Sequence, residues 1–191
     1  MHDGSSKVFR SDTSSSEVGS MALSPDGSFV AAGCLDSFVR IWEVNTGRLV
    51  EQLKGHEGLV STVAFTPDGK GLISGGVDET VNRWDVSALG NHSSMPDPSK
   101  SSIQPTFTMN GHRDIVYSVA VSHDGQWIVS GSRDRTVLIW DASNGVVHCM
   151  IDGHWDSVGS VDLSPVGNYL VTGGGNSEAK IWRLERRPDQ E

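Results

Sequence analysis

The feature that most constrains this chain of 191 residues is a set of four tryptophans at nearly regular intervals. They are separated by 42, 56 and 42 residues, and they are Trp42, Trp84, Trp140 and Trp182. The same residue types recur at fixed distances before each tryptophan. Six residues before each tryptophan stand Asp36, Asp78, Asp134 and Asn176, and ten residues before stand Ala32, Ser74, Ser130 and Thr172. Fifteen residues before stand Gly27, Gly69, Gly125 and Gly167, and 28 residues before stand Ser14, His56, His112 and His154. Such self-similarity predicts a series of equivalent structural units.

Each unit has the pattern of four short β-strands, called a to d in chain order. In the third unit the runs SVAVS (Ser118–Ser122), WIVSG (Trp127–Gly131) and TVLIW (Thr136–Trp140) are rich in β-branched and aromatic residues. An Asp-Gly pair supports a tight hairpin between the first two, and Asn144–Gly145 turns the chain into a fourth strand, VVHCMI. The 14 extra residues of the longer interval (56 − 42) fall in a Ser/Pro-rich segment around 87–103. This segment is expected to be an inserted loop, either merely solvated or used to dock a partner.

A period near 42 residues with Gly-His and Trp-Asp marks resembles the WD-repeat family, whose repeats of roughly 40–45 residues each contribute one propeller blade. The resemblance implies an all-β fold of four four-stranded antiparallel blades within a propeller of about seven blades. Closure of four blades alone, or a ring of two chains, are the alternatives. The predicted organisation is an N-terminal segment at 1–15, blades at 16–54, 55–110 (with the insertion), 111–152 and 153–185, and a tail at 186–191.

The two ends of the chain complicate this division into blades. The fourth blade lacks its strand d, while SKVFRS (Ser6–Ser11) has the pattern of an orphan strand before the first repeat. That orphan strand would either complete the last blade or be strand d of a blade further upstream. Ring closure protects the strand edges. If the ring does not close, the exposed edge strands are expected to pair with other chains and aggregate.

The His, Ser and Asp of the repeats suggest a hydrolase triad, but their recurrence argues against one. An active site is needed once, whereas a structural device is needed in every blade. The WD-repeat resemblance implies that each set joins its tryptophan in a buried hydrogen-bonded tetrad. The first repeat has Ser14 and Ala32 in place of the histidine and the hydroxyl, so its blade is expected to rely on packing and to be the least protected. The predicted tetrads are His56, Ser74, Asp78 and Trp84; His112, Ser130, Asp134 and Trp140; and, with two substitutions, His154, Thr172, Asn176 and Trp182.

Composition argues against several other functions. Fifteen Lys and Arg stand against 24 Asp and Glu, a net charge of −9, so direct binding of nucleic acid is not expected. The seven histidines and two isolated cysteines, Cys34 and Cys149, lack the spacing of metal ligands, which predicts reduced thiols in an intracellular protein. The stretch GGGNSE (Gly173–Glu178) lacks the Lys-Ser/Thr of a phosphate loop and is expected to be a hairpin turn. No catalytic residue, cofactor, metal, small-molecule ligand, secretory signal or membrane span is predicted.

The order of the features narrows the resemblance further. The first repeat lacks Gly-His, a Ser/Pro-rich loop follows the second Trp-Asp, the third carries SGSRDRTVLIWD, and the chain stops shortly after AKIWRLE. This combination resembles the last four repeats of the C-terminal propeller of fungal Tup-type (Groucho-like) general transcriptional corepressors. The resemblance implies a non-enzymatic nuclear scaffold recruited by DNA-bound repressors and bound to other corepressor subunits. A WD-repeat scaffold or adaptor of another complex, such as a ubiquitin-ligase substrate receptor, is the alternative, as is a cytoplasmic location.

Partner binding is expected on the top face, the edge of the blades that carries the d–a and b–c connections. The side chains of this face are expected to come from three kinds of position. These are the residue before the aspartate (or Asn176) of each b–c turn, the residue after the first valine of strand a, and an aromatic residue after Gly-His. Tyrosine and arginine are enriched at interaction hot spots, which favours two members of this set in particular. The predicted binding residues are Leu35, Ser61, Val77, Tyr117, Arg133, Trp155 and Gly175.

Overall fold

The structure, a computed structural model, describes residues 6–9, 17–89 and 103–185, and its regular elements there are all β-strands. Most of the insertion and the C-terminal tail lie outside these ranges. The strands form four antiparallel sheets in chain order. Blade 1 contains β1 (Val18–Leu23), β2 (Phe29–Cys34), β3 (Phe38–Glu43) and β4 (Leu49–Lys54); blade 2 contains β5 (Val60–Phe65), β6 (Gly71–Gly76), β7 (Thr80–Asp85) and β8 (Pro105–Asn110); blade 3 contains β9 (Val116–Val121), β10 (Trp127–Ser132), β11 (Thr136–Asp141) and β12 (Val147–Asp152); blade 4 contains β13 (Val158–Leu163), β14 (Tyr169–Gly174) and β15 (Ala179–Arg183).

The all-β blade architecture predicted from the repeat is therefore confirmed, with three four-stranded sheets and a fourth of three strands. Each a–b hairpin turns at a glycine with positive φ, a conformation that favours glycine over other residues. In the first three blades the turn aspartate also accepts a hydrogen bond from a nearly buried hydroxyl, as in Ser24 Oγ to Asp26 Oδ1 at 2.6 Å. The recurring sequence thus fixes both the strands and the turns between them. The turn glycines are Gly27, Gly69, Gly125 and Gly167.

The blades pack face to face in chain order through their first strands, β1, β5, β9 and β13. One hydrogen bond recurs at each junction: a hydroxyl of one blade's strand a accepts from a backbone N–H of the next blade's strand a. The three bonds run from Val63 N to Ser20 Oγ (3.3 Å), from Val119 N to Thr62 Oγ1 (3.2 Å) and from Val161 N to Ser118 Oγ (3.1 Å). The same three valines are all buried against the preceding blade.

Equivalent side chains at the two ends of the array are exposed. Met21 corresponds to those buried valines, and 57% of its surface is accessible. Val171 of blade 4 is 43% accessible, whereas Val129, its counterpart in blade 3, is fully buried between blades. The two end faces of the array are therefore the two complementary halves of an inter-blade interface.

The N-terminal segment differs from the strand expected over Ser6–Ser11. Its described residues, 6–9, belong to no strand, and their hydrogen bonds go to the c–d turn of blade 1: Lys7 Nζ donates to the carbonyl of Val44 at 2.8 Å. The Phe9 ring lies 6.4 Å from the ring of Trp42. Phe107 of β8 packs in the same way into the cluster around Trp140 of blade 3. The segment thus occupies the place of strand d from a blade preceding blade 1, and these contacts do not place it on blade 4.

A helix of the length and apolar character needed to cross a bilayer does not occur among the residues that the structure describes.

Candidate functional site

In blades 2 and 3 the four predicted tetrad residues form one continuous hydrogen-bonded chain. In blade 3 the Trp140 indole N–H donates to Ser130 Oγ (2.8 Å), whose hydroxyl lies 2.7 Å from His112 Nε2. His112 Nδ1 in turn lies 2.9 Å from Asp134 Oδ2. Because the indole can only donate and the carboxylate can only accept, the chain is consistent with a neutral histidine protonated at Nδ1. Blade 2 repeats the chain with distances of 2.8, 2.8 and 2.9 Å through Trp84, Ser74, His56 and Asp78.

The geometry explains why these triad-like residues are unsuited to attack a substrate. The side chains of His56 and His112 are fully buried, and Ser74 and Ser130 have no accessible surface. Each serine oxygen already accepts from an indole N–H and its hydroxyl faces an imidazole nitrogen. A nucleophile needs a free approach for the reacting carbon, and these hydroxyls have none. Their hydrogen bonds instead join strands b and c to the d–a connection within one blade.

A fifth residue of the network escaped the sequence analysis. Thr136 Oγ1 donates to Asp134 Oδ1 at 2.6 Å, and Thr80 Oγ1 donates to Asp78 Oδ1 at 3.0 Å. Both threonines stand two residues after the aspartate, so the same counting that identified the tetrads would have found them. They are absent from the other two repeats, which have Phe38 and Glu178 at this position.

Burial and hydrogen bonding act in opposite directions on the ionisable groups of blade 3. Burial lowers the pKa of His112 below its ordinary value of 6.5, although Asp134 opposes this change. Burial acts to raise the pKa of Asp134, but hydrogen bonds from Thr136, from the Arg113 N–H and from His112 outweigh it, so this pKa lies below the ordinary 3.8. The folded pair therefore holds a neutral imidazole beside an ionised carboxylate at neutral pH.

Acidification is expected to destabilise the protein in two stages. His112 accepts a proton less readily when folded than when unfolded, so its contribution is complete above about pH 6.5 and decreases as the pH falls through the lowered pKa. Asp134 adds stability above about pH 3.8, and this is lost as the pH falls further through its own lowered value. Each group contributes a slope of at most about 1.4 kcal/mol per pH unit. Urea unfolding over this range measures both stages, and an unfolding free energy that stays constant between about pH 7 and pH 5 would contradict the first.

Blade 4 carries a weaker version of the network. His154 Nε2 lies 2.7 Å from Thr172 Oγ1, and Trp182 donates to the same oxygen at 3.0 Å. The distance from His154 Nδ1 to Asn176 Oδ1 is 3.2 Å, longer than the bonds to the aspartates. An amide oxygen carries no net charge, so it is a poorer acceptor than a carboxylate.

Blade 1 departs from the expectation that it relies on packing alone. Arg40, almost completely buried, donates from both terminal nitrogens to Asp36, at 2.9 and 2.6 Å. Arg40 lies opposite Ala32 on the neighbouring strand, the position that a serine or threonine of the tetrad takes in the other blades. A charged pair therefore replaces the tetrad, with the tetrad-type aspartate retained. Ser14, the other predicted replacement, lies outside the described residues.

The top face has the same backbone geometry in every blade. In each b–c turn, the residue before Asp36, Asp78, Asp134 or Asn176 donates its N–H to a carbonyl of the connection that precedes strand a. These bonds of 2.7–3.0 Å run from Leu35 to Glu17, from Val77 to Leu59, from Arg133 to Ile115 and from Gly175 to Ser157. This bond holds the b–c turn beside the d–a connection. It therefore places the four predicted residues at equivalent positions along one edge.

Most of the predicted binding side chains are accessible on this edge. Trp155 is 71% exposed, Tyr117 is 38% exposed, and Leu35 and Val77 are similar to Tyr117. Arg133 is exposed and its Nε lies 3.6 Å from Asp114 Oδ2. Gly175 is exposed but presents only backbone. Ser61 differs, because its hydroxyl is directed at the carbonyls of Gly75 and Val116 and links blades 2 and 3.

The described residues contain no group of three or more His, Cys, Asp or Glu able to hold a metal ion. Both cysteines are free thiols, Cys34 buried and Cys149 exposed. Burial raises the pKa of the Cys34 thiol, with Arg40 acting in the opposite direction. The Cys34 thiol therefore lacks the accessible setting of a reactive cysteine.

The sequence matches the model of the family "WD domain, G-beta repeat" four times, at residues 5–43, 47–85, 103–141 and 145–183. Each matched stretch ends just after strand c of a blade, so it combines the last strand of one blade with the first three of the next. The first stretch includes residues 6–9, in agreement with their packing in the place of a strand d. The middle of the insertion falls between two matches.

Among individual proteins, a segment of 44 residues is 50% identical to "Transcriptional repressor rco-1" of Neurospora crassa and covers 23% of this chain and 7% of that protein. A longer segment of 148 residues is 36% identical to "Periodic tryptophan protein 2 homolog" of Schizosaccharomyces pombe, covering 75% of this chain and 16% of that protein. The chain thus spans a small part of the length of these curated relatives. A chain of the "Crystal Structure of Mitotic Checkpoint Complex" superposes with a TM-score of 0.75 at 27% identity, over 88% of this chain and 48% of that one.

Proposed function

Because the chain belongs to the WD domain, G-beta repeat family, a family of scaffolds, we propose that it is a non-enzymatic protein-binding scaffold and that it serves transcriptional repression. In this role it is the partner-binding propeller part of a nuclear corepressor, recruited by DNA-bound repressors and in contact with other corepressor subunits. It contacts proteins and not nucleic acid, membranes or small molecules.

The observation that carries the proposal is that the tetrad residues are buried, whereas large aromatic and arginine side chains are exposed on the top face. The groups with catalytic potential are sequestered inside the blades, whereas the top face exposes Tyr117, Arg133 and Trp155. Tyrosine and tryptophan supply a large contact area at little cost in conformational entropy, and arginine supplies several directed hydrogen bonds; all three residue types recur at interface hot spots. This surface is suited to bind a peptide or a protein loop.

The role in repression rests on a narrower basis. It is supported by the resemblance of the repeat order to Tup-type corepressors and by the high identity of one short segment to a transcriptional repressor. The acidic net charge agrees with recruitment through other proteins in place of direct contact with DNA. Proteins that are not named as repressors also match, at 36% and 27% identity over longer parts of this chain, so a scaffold or adaptor of another complex, such as a substrate receptor of a ubiquitin ligase, is the second candidate.

Binding to short peptides separates the two candidates. Labelled peptides from the repression segments of DNA-bound repressors are titrated against the chain, in parallel with peptides from degradation signals of ubiquitin-ligase substrates. We expect binding of the first group only, and Tyr117→Ala and Arg133→Ala are each expected to weaken it at least about fivefold, the loss typical of a contact worth 1 kcal/mol.

Arg48→Ala is the matched control, because Arg48 is exposed beside the c–d turn of blade 1, on the opposite edge of the blades. It is expected to leave the affinity unchanged. Binding that is insensitive to both top-face substitutions would show that the face is assigned wrongly. Selective binding of the degradation peptides would replace the corepressor role with the adaptor role.

A further inference from the structure

Three arginines lie on the two adjoining connections at the top of blade 3. Arg113 lies in the connection before β9, whereas Arg133 and Arg135 flank Asp134 in the turn between β10 and β11, and all three are exposed. The two connections are held together by hydrogen bonds of 2.9 Å from the Arg113 N–H to Asp134 Oδ2 and from the Arg133 N–H to the carbonyl of Ile115. The three guanidinium groups therefore start from adjoining backbone. We call Arg113, Arg133 and Arg135 the arginine cluster.

This cluster is specific to one blade. The equivalent residues of blade 2 are Glu57, Val77 and Glu79, and those of blade 4 are Trp155, Gly175 and Ser177. Arg135 has a φ of 75°, and the equivalent residues Ser37, Glu79 and Ser177 share this positive φ, so the backbone conformation belongs to the repeated turn and only the arginine side chain is particular to blade 3. In a chain with a net charge of −9, three adjacent arginines at one edge form a local exception.

The nearby carboxylates leave most of this charge available. Asp134 is directed inward and is occupied by His112, Thr136 and the Arg113 N–H. At the surface Asp114 faces Arg133 at 3.6 Å, but 58% of the Arg133 side chain and 40% of the Asp114 side chain remain exposed. An exposed pair of this kind is worth about 0–1 kcal/mol, so a partner carboxylate can displace Asp114 at little cost.

We propose that the arginine cluster binds an acidic, carboxylate-rich protein segment, with Tyr117 and Trp155 providing apolar contacts on either side. The inference rests on the proposed function, since it names the chemistry of the partner of the same top face. A guanidinium group matches a carboxylate with two parallel hydrogen bonds, and three of them on adjoining backbone suit a short segment that carries several acidic residues. Arg133 changes its carboxylate from Asp114 to the partner when the segment binds.

The same observations argue against a nucleic-acid strand. A nucleic-acid strand carries a phosphate on every nucleotide, so a strand that continues onto blade 2 meets the exposed carboxylates of Glu57 and Glu79, whereas a short peptide can place its carboxylates at the arginine cluster alone. A lone phosphate group is disfavoured as well, because the three arginines lie on two exposed connections and all three side chains are exposed, whereas a built phosphate site holds its ligand with buried donors. Separate carboxylates along a peptide can each pair with one of the three arginines.

Fluorescence anisotropy with a synthetic peptide tests the proposal. The probe has about six residues, enough to span roughly 20 Å when extended so that its glutamates stay at the arginine cluster, with glutamate at every second position and a tyrosine near its centre. The matched probe has glutamine in place of every glutamate. We expect the glutamate peptide to bind at least about tenfold more tightly, and its affinity to fall when salt is raised from about 50 to 300 mM.

The variants distinguish the cluster from the charge of the whole protein. Arg133→Glu and Arg135→Glu are each expected to lower the affinity about tenfold, because each removes an attraction and adds a repulsion. Arg48→Glu makes the same change in net charge on the opposite edge and is expected to have no effect. Asp114→Asn is expected to strengthen binding about two- to threefold, because it frees Arg133.

Three results would overturn the inference: equal binding of the glutamine peptide, an equal loss with Arg48→Glu, or complete displacement of the peptide by an equimolar single-stranded oligonucleotide. The proposed function fails separately. If Tyr117→Ala and Arg133→Ala leave repressor-peptide binding intact, the top face is not the binding surface. If those substitutions weaken repressor-peptide binding but the glutamine probe binds as well as the glutamate probe, only the acidic character of the partner is wrong.

Discussion

Replacing Asp134 with alanine is expected to lower the free energy of unfolding by about 3–4 kcal/mol, a large fraction of the 5–15 kcal/mol of a typical domain. The carboxylate accepts from His112, from the Arg113 N–H and from Thr136, and its side chain is only 9% exposed. Without it these donors lose their acceptor in a place that water reaches poorly. The loss is measured by urea unfolding at pH 7 followed by tryptophan fluorescence.

Two further substitutions make this result specific. Asp134→Asn retains an oxygen acceptor, as Asn176 does in blade 4, and is expected to cost about 1–2 kcal/mol. Asp114→Ala removes a carboxylate from the neighbouring connection before β9, where its ion pair with Arg133 is exposed, so it is expected to cost no more than about 1 kcal/mol. Equal losses for Asp134→Ala and Asp114→Ala would mean that the tetrad contributes nothing beyond loop charge.

Asp36→Ala is expected to cost about 3–5 kcal/mol for a different reason, because it leaves the buried guanidinium of Arg40 without its counter-charge. A histidine can lose its proton when its partner is removed, but arginine remains charged at every pH at which the protein folds. The hydrogen bond with Asp36 raises the pKa of Arg40 still further, against the effect of burial. Thermal unfolding of the variant should therefore show a loss that does not recover at alkaline pH.

A double variant tests this explanation. Arg40→Leu places at this position the residue that blade 3 has there, Leu138, which is buried in that blade. Combined with Asp36→Ala it is expected to recover at least half of the loss, because the unpaired charge is gone. If the double variant is less stable than Asp36→Ala alone, the cost comes from packing and not from an uncompensated charge.

The sequence predicted the parts of the structure that repeat. Equal offsets from Trp84 and Trp140 identified the tetrads, because every blade places these positions at the same points of its strands. Strand c of blade 3 was expected over Thr136–Trp140 and is found over Thr136–Asp141. The top-face positions follow from the same count, since one backbone hydrogen bond fixes them in each blade.

Features without a repeat could not be predicted in this way. Two residues before each tryptophan stand Arg40, Asn82, Leu138 and Lys180, which share no chemistry. The ion pair of blade 1 joins Arg40 to Asp36, and no repeated position indicates that the side chain opposite Ala32 is an arginine within reach of that aspartate. A strand was expected over Ser6–Ser11, but its described residues, 6–9, form none. The residue pattern of such a segment indicates only which of its faces are apolar. Whether a segment pairs depends on a free strand edge beside it, and here the neighbouring backbone is a turn.

The recurring hydroxyl bond between adjacent first strands has a consequence for how fluctuations spread through the molecule. In a linear array the opening of a unit is resisted by each neighbour it touches, as in a one-dimensional cooperative chain. Among the described residues blades 2 and 3 are flanked on both sides, whereas blades 1 and 4 each share an extended interface with one neighbour. The two complete tetrads lie in the doubly flanked blades, so the internal and the inter-blade resistance to opening coincide there. In this array of four blades we therefore expect transient opening to begin at the outer blades, and the arginine cluster to stand on one of the two units that open last.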